Sequence, residues 1–471
     1  MGLFKAYDVR GVYPDQLNPG VAYSIGHGFA RLLIDDVEIP RVVVGVDARP
    51  SGPELAAAFM DGLAAGGASP EFIGPCSTPM LYWAVAGREP AADGGAMITA
   101  SHNPARYNGI KFCRENAIPI AQNTGLAEIK ALAKEVAAPD SFVNTPSVPM
   151  VAPLADLEPD DVPVPTPIGL HPGVFQGYLG HLRRFVKRIP DGMKVAIDTA
   201  NGMGGIYLGF LRGLGLKLYA INSDCDGTFP NHEANPSRLE NLQSLCELVR
   251  REGCDLGIAI DGDADRAVFI DEGGTPVGQD MVTALLGHEF LQRHKGGAVL
   301  YDLRSSRAVA EVIEAAGGRP MRERVGHSFM KATMRKVGCI FGGELAGHYY
   351  FKENFYADSA IIAVIEVLNA LGRRGETMSE VIRPLKRFAQ SGEVNFRVED
   401  PKAVFAKVEK EYGKGDIDHL DGLTVQYTDW WFNLRPSNTE PLVRLNLEAA
   451  DRALLTAKFA ELRKILGDPA E

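Results

Sequence analysis

A serine hydroxyl carries or transfers a group only when its neighbours polarise it. The stretch Thr99-Ala100-Ser101-His102-Asn103-Pro104 sets Ser101 between polar residues directly after the apolar run Gly94-Gly95-Ala96-Met97-Ile98. His102, Asn103 and, further along, Lys111 can reach inward, which makes Ser101 the candidate reacting group with His102 and Lys111 beside it. Ser, Asn and Pro also build ordinary turns at strand ends, so this stretch alone leaves both readings open.

A second loop adds charge. Asp261-Gly262-Asp263-Ala264-Asp265-Arg266 projects three carboxylates from one short turn. Such a cluster repels itself unless a cation neutralises it, and hard oxygen ligands favour Mg²⁺, which keeps positions open for phosphate oxygens. Arg266 then stands beside a metal-bound anion, suited to a phosphoryl group. An EF-hand Ca²⁺ loop is the competing reading, because Glu272 falls at the twelfth position from Asp261; Arg266 in place of the sixth-position glycine argues against it.

Two further loops suit sugar or phosphate. Arg435-Pro436-Ser437-Asn438-Thr439 gathers a guanidinium, two hydroxyls, an amide and backbone N–H groups, a donor-rich nest for a phosphate dianion. Glu344 and His348, in Gly342-Gly343-Glu344-Leu345-Ala346-Gly347-His348, pair an acceptor with a donor that could grip adjacent sugar hydroxyls. His327 is a further imidazole able to carry a proton near neutral pH, and Tyr7 and Arg10 bring an aromatic hydroxyl and a cation to a glycine turn near the N-terminus.

The elements around these loops alternate strand and helix, the pattern of mostly parallel α/β sheets. Val42 to Asp47, Glu71 to Gly74 and Gly94 to Ile98 read as strands, with a helix opened at Ser51 by a capping box to Glu54 and another starting at Thr78. Prolines crowd residues 139–172 without helical periodicity, as in an extended connector. A second α/β unit follows, with strands at 194–198, 217–221 and 256–260 and a helix at 239–252. Its glycines Gly202, Gly204 and Gly205 match no dinucleotide or P-loop pattern and read as strand-to-helix packing. A third unit carries helices at 279–293 and 305–316 and a helix from about 359 to 371. The last segment alternates as half-exposed strands with amphipathic helices, an α+β domain on an antiparallel sheet. The expected division is 1–150 with the serine loop, 151–275 with the metal loop, 276–387 with the sugar loop and 388–471 with the phosphate loop.

At 471 residues the chain exceeds one hydrophobic core, and 45% hydrophobic with 23% charged residues is an ordinary globular composition. A net charge of −11 argues against nucleic acid or anionic membrane as the main partner. The absence of a long apolar run or a signal-peptide pattern leads to the expectation of a cytoplasmic protein, a monomer or small homo-oligomer. The six cysteines are scattered without C-x-x-C spacing and read as buried reduced thiols.

Together the four loops resemble the α-D-phosphohexomutase superfamily, most closely its bacterial phosphomannomutase/phosphoglucomutase branch. The likeness runs nearly end to end, through Phe4 to Gly11, Gly45 to Pro53, Thr99 to Lys111, Phe229 to Leu242, Asp261 to Arg266, Gly326 to Lys331, Gly343 to His348 and Arg435 to Pro441. The resemblance implies three consecutive α/β domains with mixed sheets plus a C-terminal α+β domain, heart-shaped around a central cleft. It implies that Ser101 carries a phosphoryl group and, with Asp261, Asp263 and Asp265, holds one Mg²⁺. A sugar 1,6-bisphosphate serves as intermediate and activator, and hexose 1- and 6-phosphates of mannose or glucose are the substrates. Glu344 and His348 would hold sugar hydroxyls, and Arg435, Ser437, Asn438 and Thr439 the phosphate that is not reacting. Tyr7, Arg10, Lys111 and His327 would fill the remaining places near substrate.

Two departures touch sugar recognition. Ala346 stands where the family's sugar loop usually has serine, and Arg304 where a sugar-contacting lysine is expected. Three other functions compete: phosphoglucosamine mutase, disfavoured by Asn438 where that branch has glycine; a Mg²⁺-dependent sugar-phosphate phosphatase; and a non-catalytic sugar-phosphate-binding protein, for which Ser101 and the aspartates would be idle.

Overall fold

The computed structural model describes residues 2–139, 169–436 and 442–470. Most of the proline-rich connector, and Ser437, Asn438 and Thr439, therefore lie outside the described residues. The chain divides into two compact units, Met1–Val277 with Ala346–Ser379, and Gly278–Leu345 with Glu380–Glu471.

The first unit contains two mixed sheets. In one, Gly94–Ile98 lies parallel to Arg41–Val46, which lies parallel to Ser69–Pro75, while Tyr107–Arg114 runs antiparallel to Gly94–Ile98 and carries Val9–Val12 at its edge. Valines and isoleucines fill the central strands because both faces are covered, the expected signature of a buried parallel strand. The helices Pro19–Ile34 and Gly52–Ala65 cover one face, burying Phe29, Phe59 and Leu63 against Val42, Val44 and Phe112, and the helix Thr78–Ala86 covers the other, where Leu81 and Val85 lie against Gly45 and Gly95. In the other sheet, Lys194–Asp198 is flanked by parallel Lys217–Ile221 and Leu256–Ile260, with antiparallel Ala267–Ile270 closing one edge. The serine loop leaves the C-terminal end of Gly94–Ile98 and the aspartate loop that of Leu256–Ile260, where open α/β sheets present their ligand-binding loops.

The second unit combines parallel strands Arg319–Glu323, Ala298–Asp302 and Phe341–Gly343 with an antiparallel sheet. That sheet is ordered Ala389–Arg397, Leu442–Ala449, Trp430–Pro436, Leu423–Gln426 and Asp416–Asp418. One of its faces buries Phe396, Phe432, Leu434, Val443 and Leu445 with Leu455 and Leu462 of the helix Arg452–Leu466. No helix among the described residues is long and apolar enough to cross a membrane. All six cysteines are free and buried, as expected.

Three local expectations meet the tertiary structure. The helix Gly52–Ala65 forms without the capping box: the Ser51 hydroxyl accepts from Asn108 Nδ2 at 2.8 Å, and Glu54 accepts from the Tyr13 hydroxyl. The segment 239–252 opens as the 3₁₀ turn Leu239–Leu242 before the α-helix Gln243–Glu252. The glycine-rich turn is packing, as read: the Met203 N–H donates to Gly262 O at 2.9 Å, and a Cβ on Gly205 would lie 2.1 Å from Ser223 O.

Candidate active site

Ser101 sits at φ 51°, in the left-handed region that non-glycine residues seldom occupy. The loop is forced there by its bonds. Ser101 N–H donates to Thr99 Oγ1 at 2.8 Å, and Thr99 Oγ1 donates to the buried Asp47. Arg49, whose side chain is 0% exposed, gathers four carbonyls, those of Ser101, Asn103, Pro104 and Tyr107, at 2.6 to 2.9 Å. A planar, permanently charged donor fork suits this task as no other side chain does. Arg10 adds a bond from Nη1 to Asn103 Oδ1 at 2.8 Å while Asp8 holds its Nε at 2.7 Å.

The aspartate loop meets the serine loop directly. Ser101 Oγ donates to Asp261 Oδ2 at 3.1 Å, and a Cβ on Gly262 would come within 2.6 Å of Ser101 O, so only glycine permits this approach. Asp261 Oδ1 is occupied in shaping its own turn, accepting from the N–H groups of Asp265 and Arg266. Asp263 Oδ2 accepts from Thr78 Oγ1 and Lys111 Nζ, both at 2.6 Å, and Asp265 Oδ2 from Lys111 Nζ at 2.7 Å. Asp263 Oδ1 and Asp265 Oδ1 remain buried without a hydrogen-bond donor among the described residues. One oxygen from each of the three aspartates lies within 4.8 Å of the others. Burial, then Asp265 and Asp263, push the Asp261 carboxyl well above the carboxylate range. Burial would raise Asp265 as well, yet Lys111, His348 and Arg266 overcome it and hold Asp265 well below that range. The orphan oxygens and the mutual repulsion are what a small hard cation would relieve, so the donor set fits Mg²⁺.

The same centre sets the charge of its neighbours. Burial would discharge Lys111, but Asp263 and Asp265 outweigh it and keep the ammonium protonated. Burial, with Arg266 and Arg10, holds His102 neutral, its Nδ1 3.2 Å from Ser101 Oγ. Arg266 Nε donates to His348 Nε2 at 2.9 Å, which puts the ring proton on Nδ1, facing Asp358 Oδ2 at 2.8 Å. Glu272 accepts from the Ser379 hydroxyl and N–H, so the twelfth-position carboxylate of the EF-hand reading is turned away from the aspartates.

Matches to known proteins agree with this arrangement. Four consecutive family models fit the chain: phosphoglucomutase/phosphomannomutase α/β/α domain I over residues 1–139, domain II over 176–274, domain III over 278–388 and the C-terminal domain over 393–465. A phosphomannomutase of Methanocaldococcus jannaschii is 34% identical over 466 residues, covering 98% of this chain and 97% of the relative. The chain belongs to the phosphoglucomutase/phosphomannomutase family. A protein of Xanthomonas campestris described as phosphohexose mutases is 36% identical, with 98% of both chains covered. The crystal structure of a phosphoglucomutase/phosphomannomutase family protein from Burkholderia thailandensis superposes with a TM-score of 0.84 at 28% identity, covering 98% of this chain and 96% of that one.

In this phosphohexomutase the remaining candidate residues fall in both units. Tyr7 is half-buried in the bend before Val9–Val12. In the second unit, Glu344 is buried and its Oε1 accepts from Gly326 N–H at 2.9 Å, next to His327, the first residue of the helix His327–Val337. Arg304 is clamped by Asp302 through Nε at 3.2 Å and Nη2 at 2.8 Å, and Arg435 Nη2 reaches Glu393 at 2.9 Å. Of the residues expected as a sugar-gripping pair, Glu344 accepts from the Gly326 amide, and His348 meets Arg266 and Asp358. Sequence reasoning missed Arg49, Thr78 and Asp358. Arg49 reaches carbonyls 52 to 58 residues away and Thr78 an aspartate 185 residues away, beyond any local pattern, and Asp358 meets His348 across a turn whose path the sequence does not state; the one available signal was Arg49's place within the recognised Gly45 to Pro53 stretch.

Proposed function

We propose that this enzyme interconverts hexose 1-phosphates and hexose 6-phosphates of mannose and glucose, with Ser101 as the phosphoryl carrier and a sugar 1,6-bisphosphate as the intermediate. The observation that carries the reading is Ser101 Oγ hydrogen-bonded to Asp261 at the edge of three buried carboxylates, two of which keep an oxygen without a hydrogen bond among the described residues. Binding a sugar phosphate alone requires neither feature.

Asp261, Asp263, Asp265 and the phosphorylated Ser101 would hold one Mg²⁺, which when bound draws charge from the phosphoryl oxygens. Phosphoryl transfer asks chiefly for alignment and charge neutralisation, and the chain supplies both. Arg49 and Arg10 fix the serine loop, Lys111 contributes a permanent positive charge, and Arg266 is set to bind a phosphoryl oxygen. Neutral His102, and His348 with its proton on Nδ1, are groups able to move a proton to or from a sugar hydroxyl. Glu344 and Arg304 bind the sugar, and Arg435 with Ser437, Asn438 and Thr439 binds the phosphate that is not reacting. Tyr7 and His327 complete the substrate contacts.

The test is conversion of mannose 1-phosphate, glucose 1-phosphate and glucosamine 1-phosphate to their 6-phosphates, with Mg²⁺ and a trace of sugar 1,6-bisphosphate. Conversion of the first two that disappears with Ser101→Ala or with a chelator is the expected result. Release of free phosphate without isomerisation would replace the mutase by a phosphatase, and preference for the glucosamine compound would reassign the substrate.

A further inference from the structure

The antiparallel sheet of the second unit carries one polar feature that the mutase reading does not use. The strand Ala389–Arg397 breaks its register with Leu442–Ala449 between Gln390 and Glu393. Gly392 takes φ 69° in the break, and Ser391 Oγ accepts from Leu447 N–H at 3.0 Å. Bulges of this kind re-aim a side chain, and here the side chain is Glu393.

Beyond the bulge, Glu393, Asn395, Arg444 and Arg435 share one face of three adjacent strands, since Asn395 stands opposite Arg444 and Arg444 opposite Arg435. The Glu393 carboxylate lies among three guanidiniums: Oε2 is 2.9 Å from Arg435 Nη2 and 3.7 Å from Arg304 Nη1, and Oε1 is 3.3 Å from Arg444 Nη1. Asp302 pairs with Arg304 at 2.8 Å and Asp421 with Arg435 at 3.6 Å, so three carboxylates balance three guanidiniums. Arg435 and Arg444 each bury an Nε–H with no acceptor among the described residues. The largely buried, mutually repelling guanidiniums of Arg304 and Arg435 share Glu393 Oε2 between them, and the donors left over in the cluster are those an incoming anion would need.

We propose that Glu393 is a positioning residue, a built-in counter-anion that keeps Arg304 and Arg435 assembled before a sugar phosphate arrives and whose charge weakens phosphate binding. The inference rests on the reading of Arg435 as a phosphate ligand. A mutase intermediate must be released from one phosphate grip to return in the opposite sense. A carboxylate competing for the same guanidiniums keeps that grip loose.

The experiment measures glucose 6-phosphate affinity by calorimetry in the Ser101→Ala enzyme, where turnover does not interfere. Adding Glu393→Gln, which keeps an acceptor oxygen and removes the charge, is expected to lower Kd about tenfold, equivalent to ~1.4 kcal/mol. Glu393→Asp keeps the charge and is expected to leave Kd within about twofold. In the enzyme that retains Ser101, Glu393→Gln is expected to lower KM and kcat together, a split that simple loss of structure does not produce. Should Glu393→Gln fail to fold, Glu393→Ala takes its place and is still expected to tighten binding. An unchanged or raised Kd in the folded charge-removed variant, or equal tightening by Glu393→Asp, overturns the proposal. Arg435→Ala separates the two claims: if it leaves Kd unchanged, the phosphate reading of Arg435 has failed, whereas if it raises Kd and Glu393→Gln does not lower it, only the role of Glu393 has.

Discussion

The serine and aspartate loops of the first unit and the arginine cluster of the second solve opposite electrostatic problems. In the first, three carboxylates are packed together and the atoms left without a hydrogen bond among the described residues are the acceptors Asp263 Oδ1 and Asp265 Oδ1. In the second, three guanidiniums gather around Glu393 and the atoms left over among the described residues are the donors Arg435 Nε and Arg444 Nε. A buried unpaired acceptor among carboxylates calls for a cation, and a buried unpaired donor among guanidiniums calls for an anion. The sign of the orphan atoms therefore distinguishes the region suited to a metal from the one suited to a phosphate without reference to any bound ligand.

The comparison can be broken most severely at Ser101. Replacing it with alanine is expected to lower kcat by about 10³-fold or more. Hexose phosphate binding, for which the arginine cluster of the second unit is the proposed phosphate grip, should stay measurable by calorimetry; loss of both together would mean that the two regions do not divide the work.

Arg49 tests how the first region is built rather than what it does. Arg49→Lys keeps the charge but loses the fork that gathers four carbonyls, and is expected to destabilise the protein by about 3 kcal/mol in a denaturant titration. A variant as stable as the parent would show that the serine loop holds its strained backbone without the clamp.

Sugar preference is the finer test. Ala346→Ser restores a hydroxyl near Glu344 and His348 in sequence and is expected to shift the ratio of mannose 1-phosphate to glucose 1-phosphate kcat/KM by about two- to tenfold, the worth of one hydrogen bond. An unchanged ratio would leave discrimination to Arg304 and the second unit.

The smallest expected effect lies outside both clusters. His232 Nε2 is 3.0 Å from Asp198 Oδ2, and that bond is the main reason its imidazole titrates above the ordinary 6.5. A group with a raised folded pKa gives its full stabilisation below the unfolded value and loses it as pH rises through the folded one. Stability should therefore decline as pH rises above about 6.5 through the raised folded value, by an amount that Asp198→Asn removes, read as the shift in denaturant midpoint between an acidic and an alkaline buffer. Equal slopes in both proteins would dismiss the pair as a contributor.

Much of the first region was legible because its signals are local. Ser101 and the three aspartates each fall within a few residues at the end of an apolar strand, and strand ends of α/β sheets are where ligands are met. The charge state of Lys111 was not legible, since it depends on Asp263 and Asp265, some 150 residues on. Ser51 looked like a helix cap until Asn108 claimed its hydroxyl, and Glu272 looked like a calcium ligand until Ser379 claimed its carboxylate. Glu393 carried no signal, because a bulge rather than strand alternation decides where it points.

By itself, the sequence determined the alternation of strands and helices, the family, and which residue types could carry phosphoryl chemistry, because periodicity and turn chemistry act over a few residues. Only the tertiary structure decided which of those residues share a charge: that Asp261 takes the Ser101 proton bond, that Arg49 pins the loop, that His348 serves Arg266, and that Glu393 binds three arginines. Burial removes the water that would otherwise screen each charge, so the neighbour that folding brings within about 3 Å, whatever its distance along the chain, fixes what a side chain can do.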